Sequence, residues 1–212
     1  MVIQNVKKSL RAQKGLSLIE LMIASALGII TLLAVGGVFL SGQKLAAERS
    51  QRLLVIQSIN EALRYIKEDI QRAGFHQSNG QSFIISGADS VITSTLTSLD
   101  YGYQIGVSGG QPIYTQVGFF YDSVNKQLKF CQQPESSAHS LNPCSSLSYN
   151  VSTGPFSLLD SKRVRVDGFT VASEALGSTV SSALYTITIQ ASLLDGSHSQ
   201  TLSTQIKQRN WK

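Results

Sequence analysis

Residues 11–40 read "RAQKGLSLIELMIASALGIITLLAVGGVFL" and hold a single acidic residue, Glu20. The apolar run from Leu16 to Leu40 is long enough to cross about 30 Å of hydrocarbon as an α-helix. A carboxylate in that setting costs about 2.5 to 3.5 kcal/mol even on lenient insertion scales. The position of Glu20 therefore needs a specific reason.

The positive charge of the chain is concentrated in front of this run. The formal net charge is +5, and residues 1–15 carry Lys7, Lys8, Arg11 and Lys14 with no acidic residue. The remainder is nearly neutral, which gives little support to electrostatic binding of DNA and predicts no specific nucleic-acid partner. Basic residues before the run favour an N-terminus in the cytoplasm and the remainder of the chain outside.

A basic segment followed by an apolar one is also the outline of a secretory signal peptide. Two observations argue against that interpretation: the apolar run is longer than usual, and its far end lacks a small-x-small cleavage site followed by a change in composition. The charge pattern alone leaves an uncleaved single-pass anchor carrying a periplasmic binding module as an alternative.

The segment "KGLSLIEL" from Lys14 to Leu21 resembles the class III signal of type IV pilins and type II secretion pseudopilins. In that family a prepilin peptidase cuts after the glycine, and the new N-terminal residue is methylated on its amine. The resemblance implies cleavage between Gly15 and Leu16 and N-methylation of Leu16. The family usually has Phe at the position of Leu16.

The same resemblance implies a role for Glu20. In the family's assembly scheme, the Glu of an incoming subunit meets the N-terminal amine of a neighbouring subunit inside the filament. Opposite charges attract strongly in a medium of low dielectric constant, and each is costly when left alone. Glu20 is then expected to set the register of assembly. The alternative is that Glu20 pairs with the N-terminus of its own chain.

A long helix is predicted from Leu16 to Arg72. No proline occurs in this range, and helix-forming residues dominate its second half. Apolar residues recur there at spacings of three and four, which places them on one face expected to pack on a sheet. These residues are Ile56, Ile59, Leu63, Ile66, Ile70 and Ala73. Gly74 is predicted to end the helix.

After Phe75 the composition changes to short β-branched and aromatic runs between polar residues. The predicted strands are 82–86, 101–107, 117–122, 127–131, 163–171, 184–193 and 200–206. A bulge is predicted at Asp167–Gly168, where the apolar alternation changes parity, and a hairpin turn at 195–198.

One long helix followed by strands predicts the α+β class, with the helix covering an antiparallel sheet. The predicted division is a cleaved basic leader 1–15, a transmembrane and assembly helix 16–42, an amphipathic helix 43–75 and a β-rich periplasmic domain 76–212.

Catalytic patterns are absent from the sequence. His76, His139 and His198 lie far apart, and no HExxH, GxSxG, phosphate-loop or dinucleotide motif occurs. The acidic residues of the β region are dispersed singly. The sequence therefore predicts no enzyme, no cofactor and no metal site.

Cys131 and Cys144 are the two cysteines of the chain, separated by a polar segment. Two cysteines are too few for a structural zinc site. In an extracytoplasmic domain, an even pair across a short loop predicts a disulfide.

Two further segments refine the resemblance. "EALRYIKEDIQRAGF" at 61–75 and "FYDSVNKQLKFC" at 120–131 are similar to PilW-type minor pilins. This implies a minor pilin that primes pilus assembly near the filament tip, alongside other minor pilins, the major pilin, the prepilin peptidase and the inner-membrane assembly platform. The implied location is the inner membrane before assembly and the pilus afterwards. A J-type minor pseudopilin of type II secretion shares this plan and is the alternative.

Overall fold

The structure of the chain is a computed structural model that describes residues 17–77, 82–135, 154–176 and 183–208. One long N-terminal helix is followed by antiparallel β-sheets, which confirms the predicted α+β class. The chain divides into two compact units, Met1–Glu48 and Arg49–Lys212. The first unit contributes the apolar part of the helix, and the second contains the sheets.

Helix α1 spans Leu18–Ile70 and is followed by a turn. Gly74 follows that turn with a φ of 77°, a value that side chains with a Cβ rarely adopt. A Cβ placed on Gly74 would lie 2.6 Å from Val91 Cγ1. The N–H of Gly74 donates to the carbonyl oxygen of Gly102 at 2.8 Å. Gly74 therefore allows the chain to join the sheet four residues after α1 ends at Ile70, whereas the sequence predicted that Gly74 itself ends the helix.

Within the second unit, the predicted apolar stripe of α1 forms one side of the core. The helix residues buried there are Val55, Ile59, Ala62, Leu63, Ile66 and Ile70. Ile56, which the prediction included, is only half-buried. The stripe packs on buried strand residues that include Leu99, Phe119 and Ile187. Burial of each large apolar side chain contributes about 1.5 to 3 kcal/mol, so this packing holds the second part of α1 on the sheets.

Among the described residues, eight strands form two antiparallel sheets. They are β1 Ile92–Ser94, β2 Ser98–Ser108, β3 Gln111–Asp122, β4 Gln127–Glu135, β5 Phe156–Ser157, β6 Val164–Ala175, β7 Ala183–Leu193 and β8 Gln200–Lys207. The first sheet has the order β1-β2-β3-β4-β5, and the second has the order β6-β7-β8.

The sequence predicted one sheet, whereas the structure has two, with the division between β5 and β6. Strand β6 does not join the ladder of the first sheet. Two of its amides bond to loop carbonyls instead, Val166 to Lys126 at 2.9 Å and Val171 to Leu96 at 2.9 Å. The two sheets therefore meet at β6 through the loops that connect strands of the first sheet.

The predicted strand at 82–86 is wrong. Phe83 and Ile85 are buried while Ile84 is 45% exposed, so the alternation that suggested a strand is real. However, the N–H of Phe83 donates to the carbonyl oxygen of Gly74 at 2.9 Å, and only Ser86 makes an isolated bridge. The short strands β1 and β5 were not predicted.

The bulge and the hairpin of the second sheet are confirmed. The register of β6 against β7 shifts between Val166 and Gly168, and Val166 and Phe169 on either side are both buried. At the β7–β8 turn, Gly196 and His198 have φ values of 83° and 53°. The extra residue in β6 lets apolar side chains on both sides of the bulge face the core.

Candidate functional site

Glu20 lies in the first turn of α1 and closes it locally. The backbone N–H of Ser17 donates to Glu20 Oε2 at 3.0 Å, and the N–H of Leu21 donates to the Ser17 carbonyl oxygen at 3.2 Å. This is the arrangement of a capping box, in which a Glu at the third helical position reaches back to the residue that precedes the helix. Glu20 therefore has a hydrogen-bond partner within its own chain.

The helix that follows Glu20 exposes its apolar side chains. From Leu18 to Leu40, the large apolar residues are exposed by 55% to 76%. The helix reaches a mean hydropathy of 2.4 in a window of which no part is buried. It is the one helix among the described residues that is long and apolar enough to cross a membrane. Such a surface is typical of a segment covered by lipid or by other apolar helices.

The predicted cleavage residues Gly15 and Leu16 lie outside the described residues. Cleavage between them and methylation of Leu16 stay predictions. Helix α1 begins at Leu18, three residues after Gly15.

A second polar constellation, which the sequence did not predict, joins the end of α1 to β2. The hydroxyl of Tyr101 donates to Asp69 Oδ2 at 2.5 Å, and the hydroxyl of Tyr103 donates to Asp69 Oδ1 at 3.1 Å. Arg72 Nη1 lies 3.8 Å from Asp69 Oδ1. Hydrogen bonds to a charged group contribute about 1.5 to 3 kcal/mol each. Asp69 thus fixes the last turn of α1 on the first sheet.

Burial and the contacts with Asp69 raise the pKa of both tyrosines. Burial raises the pKa of Tyr101 well above its usual range, and the Asp69 carboxylate raises it further. The pKa of Tyr103 is raised to about 12, mainly by burial and then by Asp69, with Arg72 acting in the opposite direction. The constellation is therefore intact at neutral pH with both hydroxyls protonated.

A test of this constellation uses alkaline pH. A tyrosine whose pKa is raised on folding stabilises the protein fully below about pH 10 and loses that contribution between about pH 10 and 12. We expect the free energy of unfolding to fall across this window by up to about 1.4 kcal/mol per pH unit for each such tyrosine.

Replacing Tyr103 with Phe should make that fall less steep, because one of the shifted groups is removed. Denaturant unfolding in detergent micelles at several pH values measures the slope. An unchanged slope in the Tyr103→Phe variant would show that Tyr103 does not titrate as described.

The three histidines, which the sequence analysis did not assign to a site, lie in different parts of the chain. His76 Nε2 lies 3.0 Å from the Tyr114 hydroxyl, His198 lies in the β7–β8 turn, and His139 lies outside the described residues. Where the structure describes the chain, no group of three His, Cys, Asp or Glu residues could hold a metal ion.

Cys131 lies on β4, where it is 1% exposed. It is not a free thiol. Its predicted partner Cys144 lies outside the described residues, so the pairing of the two cysteines stays a prediction.

Sequence reasoning missed two features that carry recognisable signals. Ser17 and Glu20 fit the S-x-x-E pattern of a capping box directly before an apolar run. Asp69 lies three residues after Ile66 and one before Ile70, on the border of the apolar stripe. A carboxylate in that position needs a polar partner, because burying it without one is costly.

A family model described as prepilin peptidase-dependent protein B matches residues 48–208. No curated protein and no solved structure matches the chain. The matched region starts beyond the signal at Lys14 to Leu21, so the match and the signal are separate observations.

Proposed function

The chain belongs to the family of prepilin peptidase-dependent protein B, which makes it a type IV pilin-related protein, and from this premise we propose that it is a minor pilin. In this role it helps to prime type IV pilus assembly and is incorporated at or near the filament tip. One observation carries the proposal most directly. Glu20 is the sole charged residue between Leu16 and Gln43, in the part of α1 whose large apolar side chains are exposed.

The proposed mechanism is non-covalent and requires no enzymatic activity or cofactor. The prepilin peptidase removes residues 1–15, which creates an amine on Leu16. The apolar part of α1 packs among the corresponding helices of other subunits, and Glu20 accepts the amine of a neighbour. The β-sheets then provide lateral contacts to other minor pilins and to the major pilin.

Glu20 must leave its local bond for this to happen. In the single chain, Glu20 Oε2 accepts the Ser17 N–H at 3.0 Å. A net intramolecular hydrogen bond to a charged group contributes about 1.5 to 3 kcal/mol. A cationic amine in an apolar surrounding offers a stronger partner, so the exchange favours assembly when the neighbour is correctly staggered.

The single candidate membrane helix at the N-terminus fits membrane anchoring. We propose that the chain is held in the inner membrane by this helix before assembly, with the β-domain in the periplasm, and that it reaches the pilus afterwards. Its partners in this scheme include the inner-membrane assembly platform. No step requires nucleic acid.

Complementation of a deletion strain tests the function. We expect that loss of the gene reduces the number of surface pili and that the wild-type chain restores it. A strain that keeps its pili but loses secretion of type II substrates would instead identify a J-type pseudopilin. A mature chain that still starts at Met1 in cells with active prepilin peptidase would support the uncleaved anchor and exclude a pilin.

We also propose that Cys131 and Cys144 form a disulfide in the envelope. The support is the burial of Cys131 and its lack of a free thiol. A bridge closing a loop of this size contributes about 3 kcal/mol.

Replacing Cys144 with Ser should therefore lower the free energy of unfolding by about that amount while the helical content measured by circular dichroism stays the same. The wild-type chain under reducing conditions is the control and should behave like the variant. Two thiols that react with a maleimide reagent in denatured, unreduced wild-type protein would contradict the bridge.

A further inference from the structure

Strand β8, Gln200–Lys207, is an outer strand of the second sheet. The N–H of Gln208 donates to the carbonyl oxygen of Ala183 at 2.9 Å, and antiparallel hydrogen-bonded pairs alternate along a ladder. Tyr185 is paired with Ile206 in the same ladder. The even-numbered residues of β8 therefore direct their backbone groups towards β7. The odd-numbered residues direct theirs away from the sheet. These are Thr201, Ser203, Gln205 and Lys207.

Within the described part of the chain, the outward N–H and C=O groups of these four residues have no hydrogen-bond partner. Parts of two other strand edges are covered. The segment after α1 bonds to β2 through Gly74 and Phe75, and β6 bonds to the carbonyls of Lys126 and Leu96. Strand β8 is thus an edge that the described residues leave open along its whole length.

The edge has few of the features by which soluble proteins prevent strand pairing. It contains no proline and no bulge, and Lys207 at its end is its sole charged residue. Exposed edges without such protection pair readily with another strand. We propose that β8 pairs in antiparallel fashion with β8 of a second copy of this chain, about a two-fold axis at Thr204.

The sequence of β8 is self-complementary in this register. Each Thr201 faces Lys207 of the second copy, and each Ser203 faces Gln205 of the second copy. By symmetry these contacts make four pairs, and all four consist of residues whose backbone groups point away from β7. Each pair can form two main-chain hydrogen bonds, so the interface gains about eight. A shift by one residue would place the outward-directed backbone groups of one copy opposite residues of the other copy whose backbone groups already bond to β7.

Charge and side-chain packing favour the same register. The two Lys207 side chains lie about 20 Å apart along the strands, so they do not repel strongly. On the inner face, half-buried Leu202 lies opposite Ile206 of the second copy. Pairing joins the two three-stranded sheets into one sheet of six strands. It places no like charges opposite each other and no polar residue opposite an apolar one. This inference does not depend on the proposed function.

Cysteine cross-linking of the full chain in detergent micelles tests the pairing. Thr204 lies opposite Thr204 of the second copy in a non-hydrogen-bonded pair, where Cα atoms are about 4.5 Å apart and a disulfide can form. We expect Thr204→Cys to form a cross-linked dimer under mild oxidation, well above the background of the wild-type chain. Thr201→Cys is the matched control, because its symmetry mate lies about 20 Å away.

If neither variant forms a dimer, or if Thr201→Cys cross-links as well as Thr204→Cys, the proposed pairing is wrong. The second result would identify association through the apolar helix. If β8 instead pairs with a strand of a different protein, both variants should stay monomeric. That result would also overturn the proposal that a second copy of this chain occupies the edge.

Hydrogen exchange of the wild-type chain gives an independent test that needs no substitution. The amides of Ser203, Gln205 and Lys207 should become protected as the protein concentration rises. The amides of Leu202 and Ile206, which face β7, should be protected at every concentration. Protection of all five amides at high dilution would show that the chain covers this edge itself, and would overturn the dimer.

Discussion

Replacing Gly15 with Arg should leave the chain uncleaved and held in the inner membrane with residues 1–15 attached. The peptidase must approach the backbone closely at the scissile bond, and a long charged side chain obstructs that approach. Without cleavage, Leu16 has no free amine, so Glu20 of a neighbour has no partner and filament priming should also fall to background. Intact mass of the purified chain measures the cleaved fraction.

The matched control is Gln13→Arg, which adds the same side chain to the leader but leaves the glycine in place. This variant should be cleaved like the wild-type chain. If Gly15→Arg is matured at the normal rate, the proposed cleavage position is incorrect. If both variants remain uncleaved, the added charge rather than the position is responsible.

Replacing Glu20 with Ala should separate processing from assembly. The change makes the membrane segment more apolar, so insertion and cleavage should be normal or improved. In the assembly, however, it leaves the neighbour's amine without a partner, a loss on the order of 3 to 5 kcal/mol. Since each 1.4 kcal/mol is about tenfold in affinity, association with other minor pilins should weaken by more than about a hundredfold.

Two variants separate the charge of Glu20 from its contribution to the start of α1. Glu20→Gln keeps hydrogen-bonding atoms but loses the charge, and should fall between wild type and Glu20→Ala. Ser17→Ala removes the cap hydroxyl at a cost of about 1 kcal/mol but keeps both the carboxylate and the backbone N–H that donates to it, and should still support pili. Co-purification with other minor pilins and counts of surface pili measure both effects. Wild-type pilus numbers with Glu20→Ala would show that the carboxylate does not set the register.

The elements that the sequence predicts well are those specified by neighbouring residues. The buried stripe of α1 follows from apolar spacing, and Gly74 and the bulge beside Asp167 follow from local changes in pattern. The segment 82–86 alternates like a strand, yet Phe83 donates its N–H to Gly74 because the chain there returns past the helix end. That contact depends on tertiary structure, which alternation does not report.

The same distinction applies to the candidate site. Gly15, Leu16 and Glu20 were predicted from a short contiguous segment that resembles a family signal. The contacts of Asp69 with Tyr101 and Tyr103 join residues far apart in sequence, so no local pattern specifies them. Likewise, the division into two sheets depends on which loop carbonyls meet β6, and this requires the folded structure.

In the assembly proposed above, the bond between Ser17 and Glu20 would affect the accuracy with which subunits align. A carboxylate that already has a partner is not available to every passing cation. A neighbouring subunit at the wrong height presents its amine too far away to displace the local bond, because Coulomb attraction weakens with distance. In the proposed assembly, a subunit at the correct height displaces it. The short-range bond would then act as a threshold that rejects misaligned encounters before the filament grows around them.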